Sequence, residues 1–428
     1  MRVRAITVVV AGGLLLAGCT STKSGQPSGL GGPTGSGGVS SSSGPTSGSG
    51  SASTGKLTQT FDPPLVFNKQ PVAELPGSVL SAATDGINNY YQATLEGTVL
   101  YQITDTAVSA LDVETAQPKW EVHPDGLTAN INSHNAAPAV VDGKVYAAFE
   151  STVPGHGTTP EQPAITVVVV DAASGQTTLT IQVPTPDADP AGALASRGPT
   201  KVFGVSGELI AVNRGAGTFV LDANTKALKW QRKGFIIRGV RDDMVIGVNT
   251  EPKPDRGYDE VVGLRIGDGT QAWAVPETPP VAVSPAAPHL VLVNTEKSVY
   301  FLSTSSGAVR STLPQTGGTA LLGGTWCGYD DRSVIVCKGL DDLYGIDPNA
   351  PGKRKWTIKE GSGREIPEVS AVFHGAIYGK TSNGPVVLDA LTGADRPDSP
   401  GLVPTFVNEH VGIGQSEGVG TGAFAPIK

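Results

Sequence analysis

The chain has 428 residues, a formal net charge of −8 and a pI near 5.3, and no run of basic residues is longer than Lys353-Arg354-Lys355. An acidic chain of this kind is not expected to bind nucleic acid or an anionic lipid surface through its charge. Charged residues make up only 16% of the chain, whereas it has 56 glycines and 33 prolines, so short strands and turns are favoured over long amphipathic helices.

The N-terminus has the pattern of a secretory signal peptide. Arg2 and Arg4 precede an apolar stretch from Ala5 to Leu16, which is too short to span a bilayer as a helix, and small residues then lead to Cys19. This predicts a signal peptide over residues 1–18 and export from the cytoplasm. An ordinary signal peptide cleaved nearby would leave Cys19 as a free thiol.

The tetrad from Leu16 to Cys19 resembles the lipobox of bacterial lipoproteins. In that family the signal is cut just before the cysteine, and its thiol carries a diacylglycerol. The resemblance implies lipidation of Cys19 and an extracytoplasmic protein anchored to the cell membrane, because two or three acyl chains hold a protein persistently at a membrane surface.

Residues 19–56 follow as a predicted disordered tether. From Thr20 to about Gly55 the chain is almost entirely Gly, Ser, Thr and Pro, and it contains no aromatic residue. Such a segment buries too little apolar surface to offset its ordering entropy. As a flexible coil it would reach about 35 Å. The composition becomes that of a folded protein over residues 57–428.

A short pattern recurs seven times in this folded body: two apolar residues, Asp, a few spacers, Ser/Thr-Gly, and often Trp about eight residues after the Asp. The Asp position holds Asp112, Asp171, Asp222, Arg265, Ser303, Asp347 and Asp389. The Trp position holds Trp120, Trp230, Trp273 and Trp356, and it is replaced by Leu179 and Pro397 in two other copies. The Asp and Gly residues are typical of a tight turn between two strands, and a Trp at a fixed offset would pack between neighbouring units.

The repeat predicts an all-β fold, a β-propeller of four-stranded blades. Successive Asp positions are 38 to 59 residues apart, around the ~40–50 expected for one blade. Seven copies favour seven blades. Eight are also possible, because Pro404 to Gly414 has the pattern of a further strand pair that would close the ring with residues near Phe61 to Phe67.

The repeat resembles that of pyrroloquinoline-quinone (PQQ)-type propellers. In enzymes of that family the quinone stacks between a Trp and a disulfide of adjacent cysteines, beside a calcium ion. This chain has no adjacent cysteines, so the quinone is not expected and no cofactor is assigned.

Cys327 and Cys337 flank an Asp-Asp-Arg-Ser stretch as the two sides of a hairpin would. In an oxidising compartment this placement predicts a structural disulfide. A redox or metal-binding pair is disfavoured, because the spacing is not Cys-x-x-Cys and no histidine is near.

The sequence contains none of the common nucleotide-binding, metalloprotease or serine-hydrolase motifs, and no catalytic residue or metal site is assigned. The six histidines are scattered and are interpreted as turn or surface residues: His123, His134, His156, His289, His374 and His410. The longer loops at 152–164, 184–200 and 251–260 are candidates for a binding surface.

The favoured function is a non-catalytic binding or scaffold protein that holds a protein partner at the cell envelope. The lipobox, tether and repeat together resemble the propeller lipoprotein of the outer-membrane assembly machinery. The alternative is an enzyme, quinoprotein-like or a hydrolase, with its site in the central funnel. A carbohydrate-binding or sensor propeller would need Trp residues outside the repeat, and Trp326 is the only one.

Overall fold

The computed structural model describes residues 57, 59–84, 89–127, 135–185, 198–250, 260–275, 282–295, 297–314, 326–416 and 420–428. The predicted signal peptide, Cys19 and the tether lie outside these residues, and the boundaries of the three segments remain predictions. Among the described residues, no helix combines the length and the apolar character that crossing a membrane requires.

The described part of the chain forms eight β-sheets in a ring, the blades of a β-propeller. Before the first complete blade the chain forms a short strand, a 3-10 helix and a two-stranded hairpin: β1 (Ala73–Glu74), η1 (Gly77–Leu80), β2 (Ala82–Thr84) and β3 (Asn89–Tyr91). Every strand pairing is antiparallel, as expected for blades whose strands follow one another in the chain.

Blades 1 to 6 are each built from four consecutive strands, of which the first lies next to the first strand of the neighbouring blade. Blade 1 contains β4 (Ala93–Glu96), β5 (Val99–Ile103), β6 (Val108–Asp112) and β7 (Pro118–Val122). Blade 2 contains β8 (Ala139–Val141), β9 (Lys144–Val153), β10 (Gln162–Asp171) and β11 (Thr177–Pro184). Blade 3 contains β12 (Gly198–Ser206), β13 (Leu209–Gly215), β14 (Gly217–Asp222) and β15 (Ala227–Lys233).

The next three blades repeat this order. Blade 4 contains β16 (Phe235–Arg241), β17 (Met244–Asn249), β18 (Glu260–Arg265) and β19 (Gln271–Val275). Blade 5 contains β20 (Ala282–Ala287), β21 (Leu290–Asn294), β22 (Ser298–Ser303) and β23 (Val309–Pro314). Blade 6 contains β24 (Trp326–Tyr329), β25 (Ile335–Lys338), β26 (Asp342–Ile346) and β27 (Arg354–Lys359).

The last two blades depart from the pattern. Blade 7 has three strands, and its fourth position is reduced to a single bridge between Leu388 and Asp395. The strands of blade 7 are β28 (Glu368–Phe373), β29 (Ala376–Thr381) and β30 (Gly384–Asp389). The C-terminal strands of blade 8 are β31 (Val403–Val407), β32 (Gly412–Ser416) and β33 (Gly420–Phe424). Strand β1 pairs with β33 as the outer strand of blade 8, so the two ends of the described chain close the ring.

The all-β propeller is therefore confirmed, but the favoured count of seven blades is wrong, and the alternative of eight is right. The seven repeat turns connect the third strand of blades 1 to 7 to the segment that follows it. Blade 8 takes its fourth strand from the N-terminal side, so it has no such turn and lacks the signature. The segment near Phe67 does contribute to closure through a bridge to Pro426, although Ala73–Glu74 supplies the outer strand.

The core lies between the blades, where each sheet packs its apolar face against the next one. Phe301 of blade 5 and Tyr344 of blade 6, for example, are buried in one cluster. The ring also has two distinct faces. The turns between first and second strands and between third and fourth strands lie on one face, the short-turn face. The connections between second and third strands and between blades lie on the other, the long-loop face.

Of the longer loops predicted from the sequence, the one at 152–164 lies on the long-loop face. It is shorter than predicted, because β9 continues to Val153 and β10 begins at Gln162. Residues 186–197 and 251–259, in the other two, lie outside the described residues.

Candidate functional site

The repeat aspartates lie in the turn after the third strand of their blades, on the short-turn face. In blade 1, Asp112 Oδ1 accepts hydrogen bonds from the backbone N–H groups of Glu114 and Thr115, both at 3.0 Å. The same kind of side-chain-to-backbone bond is made by Asp171, Asp222, Asp347 and Asp389. Each carboxylate accepts hydrogen bonds from backbone N–H groups of its own turn, so these aspartates have a structural role in the repeat.

The four repeat tryptophans each join one blade to the next. Each indole N–H donates to the backbone carbonyl that follows the Asp position of the next blade. The bonds are Trp120 to Ala172 at 3.0 Å, Trp230 to Ile266 at 2.7 Å, Trp273 to Thr304 at 2.9 Å and Trp356 to Ala390 at 2.8 Å.

Each of these indoles also lies against a glycine of the next blade. A Cβ atom added to Gly175 would lie 2.5 Å from Trp120, and one added to Gly307 would lie 2.7 Å from Trp273. Both glycines have a positive φ, of 74° and 67°. We call this combination of indole, carbonyl and glycine the Trp–Gly lock.

The hairpin predicted around the two cysteines is present in blade 6. Cys327 of β24 pairs directly with Cys337 of β25, and a disulfide with an S–S distance of 2.03 Å joins them. Asp330 closes the turn by accepting hydrogen bonds from the backbone N–H groups of Ser333 and Val334 at 2.6 and 2.8 Å. Both cysteines are buried in the cluster between blades 5 and 6, so the disulfide is a structural staple.

A charged cluster joins the N-terminal segment to blades 6 and 7 on the short-turn face. Asp62 accepts from Arg332 at 2.5 Å and lies 2.5 Å from Nδ1 of His374. Partial burial opposes ionisation, but hydrogen bonds from Arg332 and His374 hold the pKa of the Asp62 carboxyl below its ordinary value. Beside them, burial raises the pKa of Asp331.

A second cluster joins blades 4 and 5 on the same face. His289 Nδ1 lies 2.8 Å from Asp242 Oδ2, and the Thr304 hydroxyl donates to the same oxygen. The bond from Thr304 and the contact with His289 lower the pKa of the Asp242 carboxyl. His289 and His374 are therefore turn residues, as interpreted from the sequence, but each also connects two parts of the ring.

The long-loop end of blade 6 presents an exposed aromatic residue. Trp326, the first residue of β24, is 45% exposed, and its ring lies over Gly328. Trp326 pairs across the sheet with Lys338, and Leu340, two residues further on, is 54% exposed. The pairing places both apolar side chains at the same end of the blade, directly beyond the buried disulfide.

Sequence reasoning singled out Trp326 as lying outside the repeat but assigned no surface to it. Leu340 and the clusters around Asp62 and Asp242 were not predicted. Their partners are 42 to 312 residues away in sequence, and only the closed ring brings them together. The sequence did contain a signal for an exposed Trp326, because this Trp lies beside a predicted disulfide hairpin and outside every repeat position.

The described residues contain no group of three or more His, Cys, Asp or Glu side chains placed to hold a metal ion. What the described residues present instead is the exposed apolar pair Trp326 and Leu340 on blade 6 and the two charged clusters on the short-turn face.

Comparison with known proteins gives a partial family match. A model described as outer membrane protein assembly factor BamB, built on the PQQ-like repeat, matches residues 165–322, which is less than half of the chain. The match supports the PQQ-like character of the propeller. No curated protein matches the sequence.

Solved structures with a similar fold include BamB from Moraxella catarrhalis, 10% identical over 81% of this chain and 98% of that chain, with a TM-score of 0.44. Hsv2p from Kluyveromyces lactis is 11% identical over 68% of this chain and 89% of that chain, with a TM-score of 0.41. Likenesses at this level say nothing about function, and the propeller assignment rests on the chain's own strand pairing.

Proposed function

We propose that the protein is an extracytoplasmic, lipid-anchored propeller that binds a protein partner of the cell envelope and catalyses no reaction. The observation that carries the proposal is the exposed Trp326 on a disulfide-stapled blade, in a chain whose N-terminal sequence has the pattern of a signal peptide and resembles a lipobox. Aromatic residues on rigid supports are the usual anchors of protein interfaces. The partial match to an assembly-factor family supports a binding role.

The proposal includes no quinone cofactor. In the quinoproteins that the repeat resembles, the ring stacks on a disulfide of adjacent cysteines. Here the disulfide joins residues ten apart in sequence. Cys327 is 8% exposed and Cys337 is 0% exposed, so a quinone ring has no access to either sulfur.

The test is cross-linking of the lipidated protein in intact cells, followed by purification and mass spectrometry. The wild-type chain is compared with Cys19→Ala, with Trp326→Ala and with Val309→Ala. Val309 is a matched control because it is 53% exposed and lies on the short-turn face.

We expect one or a few envelope proteins with the wild type and with Val309→Ala, and weaker recovery with Trp326→Ala. The Cys19→Ala variant should leave the membrane fraction with the propeller still folded. Equal recovery with Trp326→Ala would remove blade 6 from the proposal. A Cys19→Ala variant that stays membrane-bound would remove the anchor.

A further inference from the structure

The chain crosses the short-turn face at residues 59–63, which we call the N-terminal strap, and the strap contacts blades 6, 7 and 8. Within the described part of the chain, its backbone forms one hydrogen bond, from the Phe61 N–H to the Glu409 carbonyl at 2.9 Å. The other polar attachment is a side chain, the Asp62 carboxylate, in its cluster with Arg332 and His374. The strap is therefore held mainly through one carboxylate.

The chain that follows the strap is fixed more firmly. The Pro64 carbonyl accepts a hydrogen bond from the buried hydroxyl of Tyr378 at 2.6 Å. The N–H groups of Asn68 and Val72 donate to carbonyls at the C-terminal end of β33, at 2.9 and 2.7 Å, and Phe67 between them is 1% exposed. An opening of the strap would therefore stop at Pro64.

The chain before the strap is held by one apolar side chain. Leu57 is 7% exposed and is buried in a cluster between blades 8 and 1 that includes Val411 and Leu100. An opening that reaches the tether must therefore expose this leucine as well as separate Asp62 from its partners.

A second carboxylate lies beside His374. The His374 N–H donates to the Asp330 carbonyl at 2.7 Å, so the turns of blades 6 and 7 lie side by side, and the next residue is Asp331. The Asp331 carboxylate forms no hydrogen bond or ion pair with a residue that the structure describes. Partial burial raises the pKa of Asp331, and its attraction to His374 opposes that rise.

Blades 4 and 5 show what these two turns can do. There, Asp242 in the turn between the first two strands of one blade lies 2.8 Å from His289 in the equivalent turn of the next. Asp331 and His374 are in the same two turns of blades 6 and 7, but the imidazole of His374 contacts Asp62 of the strap. Two carboxylates are thus available to one imidazole.

We propose that the N-terminal strap opens and closes on the folded ring, because Asp62 and Asp331 compete for His374. In the closed state His374 contacts Asp62. In the open state it pairs with Asp331 instead, and Arg332, whose side chain is already 50% exposed, is solvated by water. Both partners of Asp62 are then satisfied without it, so the opening is a local transition that leaves the ring intact.

Opening lengthens the predicted tether. Positions 57 to 63 add seven residues to it, which span up to roughly 25 Å when extended. The strap would then set how far from the membrane the propeller reaches its partner. This consequence rests on the proposed lipid anchor, whereas the equilibrium between the closed and open strap does not.

The test is hydrogen–deuterium exchange of the full chain, resolved to single amides, with Asn68 and Val72 as reference amides for Phe61. We expect Phe61 to exchange at least roughly ten-fold faster than either reference, because only the closed strap protects it. Asp62→Asn should speed Phe61 exchange on the order of ten-fold, as expected for a lost charged hydrogen bond. Asp331→Asn should slow it about three-fold, because the open state loses its replacement pair.

Two further variants and a control define what opens. Leu57→Ala should speed Phe61 exchange roughly ten-fold, since the open state exposes this leucine. Asp341→Asn is the matched control, because Asp341 belongs to the same blade but lies on the long-loop face, and it should leave Phe61 exchange unchanged. Cys19→Ala should also leave it unchanged, so the result is separate from that of the anchor test.

Three results would count against the proposal. Equal exchange at Phe61 and at the two reference amides in the wild type would overturn it, because the strap would then open only with the ring. Asp62→Asn and Asp331→Asn acting in the same direction, or having no effect, would overturn the competition for His374. An unchanged rate in Leu57→Ala would overturn the added tether length.

Discussion

Truncation of one repeat tryptophan tests whether the Trp–Gly lock holds adjacent blades together. Trp273 is the most informative of the four, because it is 7% exposed and its indole N–H donates to the Thr304 carbonyl at 2.9 Å. The matched comparison is Trp326→Ala, since Trp326 is 45% exposed and lies outside the repeat.

The magnitude follows from burial. A buried tryptophan removes roughly 150–250 Å² of surface from water, worth roughly 4–6 kcal/mol at about 25 cal/mol per Å², an upper estimate. Measured Trp→Ala substitutions in cores cost about 3–5 kcal/mol. We therefore expect Trp273→Ala to lower the free energy of unfolding by about 4 kcal/mol. Trp273→Phe keeps an aromatic ring but loses the hydrogen bond and part of the indole's volume, and the lost hydrogen bond alone should lower the free energy of unfolding by roughly 1–2 kcal/mol.

We expect Trp326→Ala to lower the free energy of unfolding by less than about 2 kcal/mol, because about half of the ring is already exposed to water and its removal leaves no closed cavity. The assay is denaturant unfolding followed in parallel by tryptophan fluorescence and by circular dichroism. Coincident curves establish that the ring unfolds as one unit. Equal midpoints for Trp273→Ala and Trp326→Ala would refute the reasoning, since the lock would then contribute no more than an exposed side chain.

Three further predictions concern the staple, a charged cluster and a glycine. Cys327→Ala with Cys337→Ala should cost about 3 kcal/mol in denaturant unfolding, as expected for a closed loop of this length; an unchanged midpoint would contradict this. Hydrogen bonds from blade 5 lower the pKa of Asp242 in the folded protein. The stability that the ionised Asp242 contributes is therefore complete above its unfolded pKa near 4, and it is lost as the pH falls through the lower folded pKa. Asp242→Asn should flatten stability against pH below about pH 4, and an unaltered acid profile would count against the cluster. Gly393→Ala should lower the free energy of unfolding by more than about 1 kcal/mol, because φ is 70° and the new Cβ would lie 2.5 Å from Trp356. A thermal midpoint equal to that of the wild type would show that the turn accommodates the added methyl group.

The repeat turns could be predicted from the sequence because their hydrogen bonds are local. Asp112 reaches backbone groups only two and three residues away, so the turn carries its own signature. The cysteine hairpin is local in the same sense, because its two cysteines are only ten positions apart in the sequence. Blade 8 was not counted from the repeat because it combines the three C-terminal strands with β1 from the N-terminal side, so no repeat turn follows its third strand.

Contacts between blades could not be predicted in the same way. The indole of Trp120 reaches a carbonyl 52 residues further on, and Asp62 meets His374 across 312 residues. The replacement of Trp by Leu179 was visible in the repeat. Its structural consequence depends on Lys226 in the following copy, which stands where the four locked interfaces have glycine. Nothing in a single copy of the repeat indicates that these two positions lie against each other.

The interface between blades 2 and 3 shows how the ring tolerates a missing lock. Strands β9 and β10 are ten residues each, and β9–β11 pack with blade 3 in one buried cluster that includes Ile165, Ile181 and Phe219. Leu179, which stands in place of a repeat tryptophan, packs against this same cluster. Because these contacts lie along the length of the strands, the interface between the two blades does not depend on a single side chain at the short-turn face.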